Sequence, residues 1–154
     1  MSKTDIIDEA IERTLSGLLL ALDLTGHDRD PGSQGRLEAS VTTQYQLHSR
    51  ALASQLRPDD EGKVFFPVQV SGKWAPGCIL VTSDRLLVAR SQGVLRRSQV
   101  DEVALADIDS CSVTVDSDSP IVTVSSAGTE WSFKLGYDRN NYVTDLVCQA
   151  VNGE

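Results

Sequence analysis

Gly77-Cys78-Ile79-Leu80-Val81-Thr82-Ser83-Asp84-Arg85-Leu86-Leu87-Val88-Ala89-Arg90 holds two β-type runs on either side of a short polar turn, Thr82-Ser83-Asp84. Aliphatic and β-branched runs bounded by turn residues read as a hairpin. Working outward, residues 64–70 read as a preceding strand. Pro67 places that strand at a sheet edge or at the start of pairing, because proline has no N–H to give a ladder. Downstream, residues 94–100, 103–105, 108–115, 120–125 and 130–135 give further short strands, with turns at 116–119 and at Ala127-Gly128. Trp131, Phe133 and Leu135 alternate onto one face of the last strand. Residues 138–151 read as a closing helix, with Asp138 as its cap and a wide apolar face from Val143, Leu146, Val147 and Val151.

Upstream of residue 60 the period changes from two to 3.6. Ile7, Ile11, Leu15, Leu18, Leu19 and Leu22 form one stripe of a helix over 4–25, capped by Thr4, with Asp5, Asp8 and Glu9 at its positive end. Residues 26–35 are rich in breakers and read as a loop. Leu37, Val41, Tyr45, His48, Leu52 and Leu56 step along a second helix over 36–57, which Pro58 ends. Two helices joined by a short loop form an antiparallel hairpin. Spacing does not say whether its stripes pack on the strands, on a second chain or on a partner.

The predicted fold class is therefore α+β. An N-terminal helical hairpin over 1–58 precedes a domain over 59–154, a bent β-sandwich or partly open barrel of about seven strands closed by a C-terminal helix.

The 154 residues carry a net charge of −8, and 40% are hydrophobic, with aromatics at only 5%. Residues 1–60 hold 6 Lys+Arg and 10 Asp+Glu, and residues 61–154 hold 8 and 12, so each part is −4. This balance excludes nucleic acid as a main partner, since that needs a basic face to displace counterions. It also disfavours general adhesion to anionic membranes. The three cysteines, Cys78, Cys111 and Cys148, are odd in number and widely spaced. They read as small buried apolar side chains rather than a disulfide framework. The apolar run at 18–22 is too short to span a bilayer, and no leader pattern is present, so a cytoplasmic protein is expected.

This arrangement resembles the bacterial pleckstrin-homology-like domains, themselves similar to pleckstrin-homology and GRAM domains, over about residues 61–152. The resemblance rests on Gly77–Arg90 with its Thr82 and Asp84-Arg85-Leu86-Leu87, on the apolar-acidic run 103–108, on the Trp131–Leu135 strand and on the terminal helix. It implies a binding scaffold that hosts many unrelated partners. Phosphoinositide-binding members use basic residues on the first two strands and the loop between them. Here that region offers only Lys63 and Lys73, and residues 78–82 have no basic residue.

Few residues point to catalysis. The two histidines are His27, in the loop, and His48, on the apolar face of the second helix, where a satisfied core or interface imidazole is expected. No nucleophile elbow, zinc-protease helix, phosphate loop or Cys-x-x-Cys occurs. Asp28-Arg29-Asp30-x-Gly32 lacks the later ligands of a calcium loop, and Asp116-Ser117-Asp118-Ser119 reads as turn chemistry. No catalytic residue, metal site or cofactor is expected.

The candidate binding residues are Lys73 and Trp74, a cation and an aromatic in a loop, and Arg90, Arg96 and Arg97, which together can form an anion patch. The function expected is a non-catalytic adaptor binding another protein, or its own copy, through the helical segment and the β-domain. The alternative is a membrane- or lipid-surface module using the Lys73-Trp74 loop, which the charge disfavours. A third reading is a small-ligand or enzymatic site in a cavity between helices and barrel.

Overall fold

The computed structural model describes residues 2–24, 31–70, 75–92, 97–116, 119–135 and 142–152. Two helices, α1 (Lys3–Leu24) and α2 (Pro31–Gln55), precede seven strands and a last helix. The strands are β1 (Gly62–Val70), β2 (Ala75–Thr82), β3 (Arg85–Gln92), β4 (Arg97–Ala104), β5 (Ser110–Asp116), β6 (Ser119–Ser126) and β7 (Thr129–Lys134), and α3 spans Tyr142–Val151. A turn of 3-10 helix, Leu105–Asp107, follows β4. The strands form one open antiparallel sheet in the order β4-β3-β2-β1-β7-β6-β5. The α+β class, the N-terminal helices, about seven strands and the closing helix thus stand as the sequence predicts.

Several boundaries move, each for a local reason. The cap of α1 is Ser2, not Thr4. The Asp5 N–H donates to Ser2 Oγ at 3.3 Å, and the Ser2 N–H donates back to Asp5 Oδ2 at 3.2 Å, a reciprocal capping box. Helix α2 starts at Pro31, inside the expected loop, because proline is tolerated where a helix's first N–H has no partner anyway. The predicted strands 94–100 and 103–105 merge into β4, which pairs with β3 without a break from Arg85↔Ala104 to Gln92↔Arg97. The expected cap Asp138 lies outside the described residues.

Pro67 is neither on an edge strand nor at the start of pairing, since β1 is central and Pro67 pairs with Cys78. The physical point survives locally. The β1–β7 ladder holds only Gln69↔Lys134 and Val70↔Phe133, so Pro67 lies where β1 has β2 alone as a strand partner. The Phe65 N–H, two residues back and aimed the same way, donates to Thr14 Oγ1 at 3.1 Å. Thr14 in turn donates to the Ala10 carbonyl at 2.7 Å. Helix α1 therefore serves the stretch of β1 edge that β7 leaves open, and Pro67 forfeits no ladder bond there.

Strands β2 and β3 are buried at both parities. Register puts Cys78, Leu80, Leu87 and Ala89 on the face of Arg85 and Ser98, which bond to α2. Ile79, Val81, Leu86 and Val88 take the other face, and all eight are at most 2% exposed. Both faces are covered, which is why the two runs are continuously apolar rather than alternating. A single core links Ile6, Ile7, Ala10 and Leu18 of α1 and Val41 and Leu52 of α2 with the sheet and with Val143, Val147 and Val151 of α3. Of the α1 stripe, Ile7 and Leu18 are thus buried in its own chain, while Ile11 and Leu15 are half-buried at its margin.

Close approach of α1 to β1 depends on Gly62. A Cβ there would stand 2.3 Å from the Ile6 carbonyl oxygen and 2.9 Å from Ala10 Cβ. Backbone cannot yield as a side-chain tip can, so Gly62→Ala is expected to destabilise by about 1–3 kcal/mol. A urea midpoint that drops at constant slope would show it. The β6–β7 hairpin turns on Ala127 (φ 50°) and Gly128 (φ 81°), two left-handed residues as a tight primed turn requires.

Candidate functional site

Three features of the structure are candidates, a buried histidine, a buried arginine and an open sheet edge, and burial separates the first two from the third. His48 is fully buried. Its Nδ1 lies 2.7 Å from Ser98 Oγ, whose one proton goes to the Leu47 carbonyl at 2.9 Å. Ser98 therefore accepts from His48 Nδ1–H, and Nε2 keeps a buried lone pair with no partner. Burial holds the imidazole pKa below its ordinary value. The histidine is in the core as the sequence predicts, but it is satisfied at Nδ1 and not at Nε2, and it is closed to any substrate from solvent. The unfolded chain takes up this proton near pH 6.5, while the folded chain does so only at lower pH. Stability is thus full above about pH 6.5 and falls below it, at no more than about 1.4 kcal/mol per pH unit, until the folded pKa is passed. His48→Gln is expected to flatten that slope between pH 7 and 5, read from urea midpoints at each pH.

Arg85, which sequence reading used only as part of a motif, is the hub of the second feature. It donates to the Gln55 carbonyl and to Glu102, each at 2.8 Å, and pairs closely with Asp60. Burial opposes its charge, but the hydrogen bond to Glu102 and the charges of Asp60 and Glu102 outweigh that, so its pKa is held above the ordinary value. The Asp60 carboxylate also accepts the Arg57 N–H at 2.7 Å. The group ties the end of α2 and the turn before β1 to the β2–β3 hairpin. The signal was a lone arginine after the Thr-x-Asp turn, where Thr82 Oγ1 accepts the Arg85 N–H at 3.1 Å.

Of the expected binding residues, Arg90 and Arg97 are described, while Lys73, Trp74 and Arg96 lie outside the described residues. Arg90 pairs with Gln99 and Arg97 with Gln92, so the two arginines are diagonal neighbours on one face of the β3–β4 hairpin. Arg97 is exposed and Arg90 half-buried, with its Nε buried and without a partner.

The third feature was missed in the sequence. The sheet has two edges, and they differ. Edge β4 carries Arg97, Asp101 and Glu102 and is crossed by α2 through Ser98. Charged side chains and a covering element blunt an edge. Edge β5, Ser110-Cys111-Ser112-Val113-Thr114-Val115-Asp116, has a single charge, at its end, and no proline. Among the described residues it pairs with β6 alone. Val113 lies opposite the fully buried Val122, yet is itself 40% exposed. The core layer simply stops there. Every second residue of such an edge directs its N–H and C=O outward.

Cys111 of β5 forms a disulfide with Cys148 of α3. This corrects the expectation that the cysteines are only small buried groups. The pair is 37 residues apart in sequence, and only folding brings the two Cα atoms to 5.8 Å. Cys78 is the free thiol expected, buried, with its pKa raised by that burial. Among the described residues no group of three or more His, Cys, Asp or Glu could hold a metal ion, and no helix is long and apolar enough to cross a membrane.

The architecture, a seven-stranded antiparallel open sheet with a closing helix, is consistent with a pleckstrin-homology-like fold. No family model and no curated protein matches the chain. Among solved structures, it is similar to the complex of PDZ-RhoGEF DH/PH domains with GTP-gamma-S-activated RhoA. The TM-score is 0.48 at 14% identity, over 80% of this chain and 40% of that one. This chain thus spans less than half the length of that protein.

Proposed function

We propose that this chain is a non-catalytic protein-binding module that takes an extended peptide as an added strand on β5. The observation carrying this reading is the open, nearly uncharged β5 edge with the exposed core-side Val113 beside it. Main-chain hydrogen bonds supply affinity in strand addition, and alternate side chains supply specificity. An apolar residue set beside Val113 continues the core layer. The exposed Asp107 and Asp109 before the strand favour Lys or Arg at that end of the peptide. The disulfide to α3 holds the strand in place before binding, which lowers the ordering cost.

The test uses the full chain and a peptide with a Val-Ile-Val centre and lysine at both ends. Hydrogen exchange is expected to slow at residues 110–116 on binding, and Val113→Lys is expected to weaken binding about tenfold or more. Unchanged exchange at β5, or binding indifferent to Val113→Lys, would refute the reading.

A second reading has one observation behind it, the exposed Arg97 diagonal to Arg90 on one face of the β3–β4 hairpin. An anionic surface at that end of the sheet would engage both guanidinium groups. Vesicles containing phosphatidylserine that bind the native chain, but not Arg90→Glu/Arg97→Glu, would favour it over strand addition.

A further inference from the structure

We propose that the groove between α1 and α2 docks a basic amphipathic helix from a partner protein, at a surface separate from β5. The groove has a volume of about 400 Å³ and is lined by Asp8, Ile11, Leu15, Glu38, Val41, Thr42 and Tyr45. Ile11 and Leu15 stand one turn apart on α1, and Val41 and Tyr45 one turn apart on α2. They form an apolar floor bounded by two helices, and ridges of a third helix fit such a groove.

The rim is acidic on both sides. Asp5 and Glu12 are exposed on α1, three residues before Asp8 and four after it, so the three carboxylates share one side of the helix. Arg13 does not offset them there, because it is held by Glu9, Glu61 and the Gly62 carbonyl. On α2 the groove is lined by Glu38, and no Lys or Arg lies between Arg36 and Arg50. Tyr45 reinforces this character: burial, then its hydrogen bond to Asp8 and the Asp8 and Asp5 charges, keep its phenol protonated above the usual range.

Charge selects the occupant. A second copy would set acidic rim against acidic rim on chains of net charge −8, and an anionic membrane is repelled for the same reason. A helix with apolar residues at i, i+3 or i+4, and i+7, flanked by Lys or Arg, satisfies floor and rim together. With strand addition at β5, the chain would join two partners at once.

The probe is an amidated Leu/Lys amphipathic peptide of about 18 residues, long enough to hold a helix. It is compared with a scrambled peptide of the same composition and with a version bearing Glu for Lys. The native chain is expected to bind the amphipathic peptide about tenfold tighter than the scramble and not to bind the acidic version. Ile11→Glu, at a half-buried site, and the surface variant Asp8→Lys/Glu38→Lys are each expected to cost about tenfold or more. Thermal melts confirm that each variant is folded, and the surface pair keeps the test valid if Ile11→Glu is not. Equal binding of the scramble, undiminished binding by the folded variants, or self-association that Ile11→Glu abolishes would each overturn the proposal.

Discussion

Arg85→Met is expected to lower stability by about 3–5 kcal/mol. The side chains of Arg85 and Asp60 are only 5% and 6% exposed. Methionine fills most of the volume but leaves the Asp60 carboxylate buried with the Arg57 N–H as its remaining partner among the bonds described. An orphaned buried charge costs far more than the intact pair contributes. The end of α2 also loses the cation that satisfies the Gln55 carbonyl. Chemical unfolding of Arg85→Met, Asp60→Leu and the double variant forms the decisive cycle. The double variant is expected to recover most of the loss, because no charge is then left unpaired. Additive losses would show that the two residues do not act as a pair.

Breaking the Cys111–Cys148 cross-link is the second large effect. In the chain-entropy model a closed loop of this length is worth about 4 kcal/mol, from the freedom it removes from the unfolded chain. For a chain of this size that corresponds to a fall in Tm of about 8–15 °C. Calorimetry with and without a dithiol reductant, and on Cys111→Ser/Cys148→Ser, measures it. The reduced native chain and the double variant are expected to melt together. Thiol labelling of the folded oxidised chain is expected to find no reactive group, since Cys78 is buried and held as the protonated thiol. A Tm insensitive to reductant would show that the bond does not constrain the chain.

Much of the fold was legible because it is written in local periodicity. The two-residue turn at Ser83-Asp84, the left-handed pair Ala127-Gly128 and the stripe beginning at Ile7 each need only nearby residues to be read. Boundaries slipped where a partner distant in sequence decided them. The polar pair Asp101-Glu102 looked like a break between two strands, but Glu102 is taken up by Arg85 and the strand runs on. Pro67 looked like an edge marker, but the open stretch of edge is inside the sheet and α1 serves it. One available signal went unused: apolar residues at every position of 78–81 and 86–89 already require cover on both faces of the hairpin. Only a packed helical layer on the outer face meets that need.

The binding surfaces were less legible than the fold. Exposure of Val113 depends on which strand ends the sheet, and strand order is a property of the whole chain. The acidic rim of the α1–α2 groove joins residues some thirty positions apart, Asp8 and Glu38. By itself the sequence determined the fold class, the number and order of the elements, the acidic character and the core histidine. These follow from residue spacing, turn chemistry and charge, all of which act over a few neighbours. Tertiary structure alone decided the disulfide, the Arg85–Asp60 pair, the buried face of α1 and the open edge at β5. Each of these depends on distances closed by folding between residues that no local rule relates.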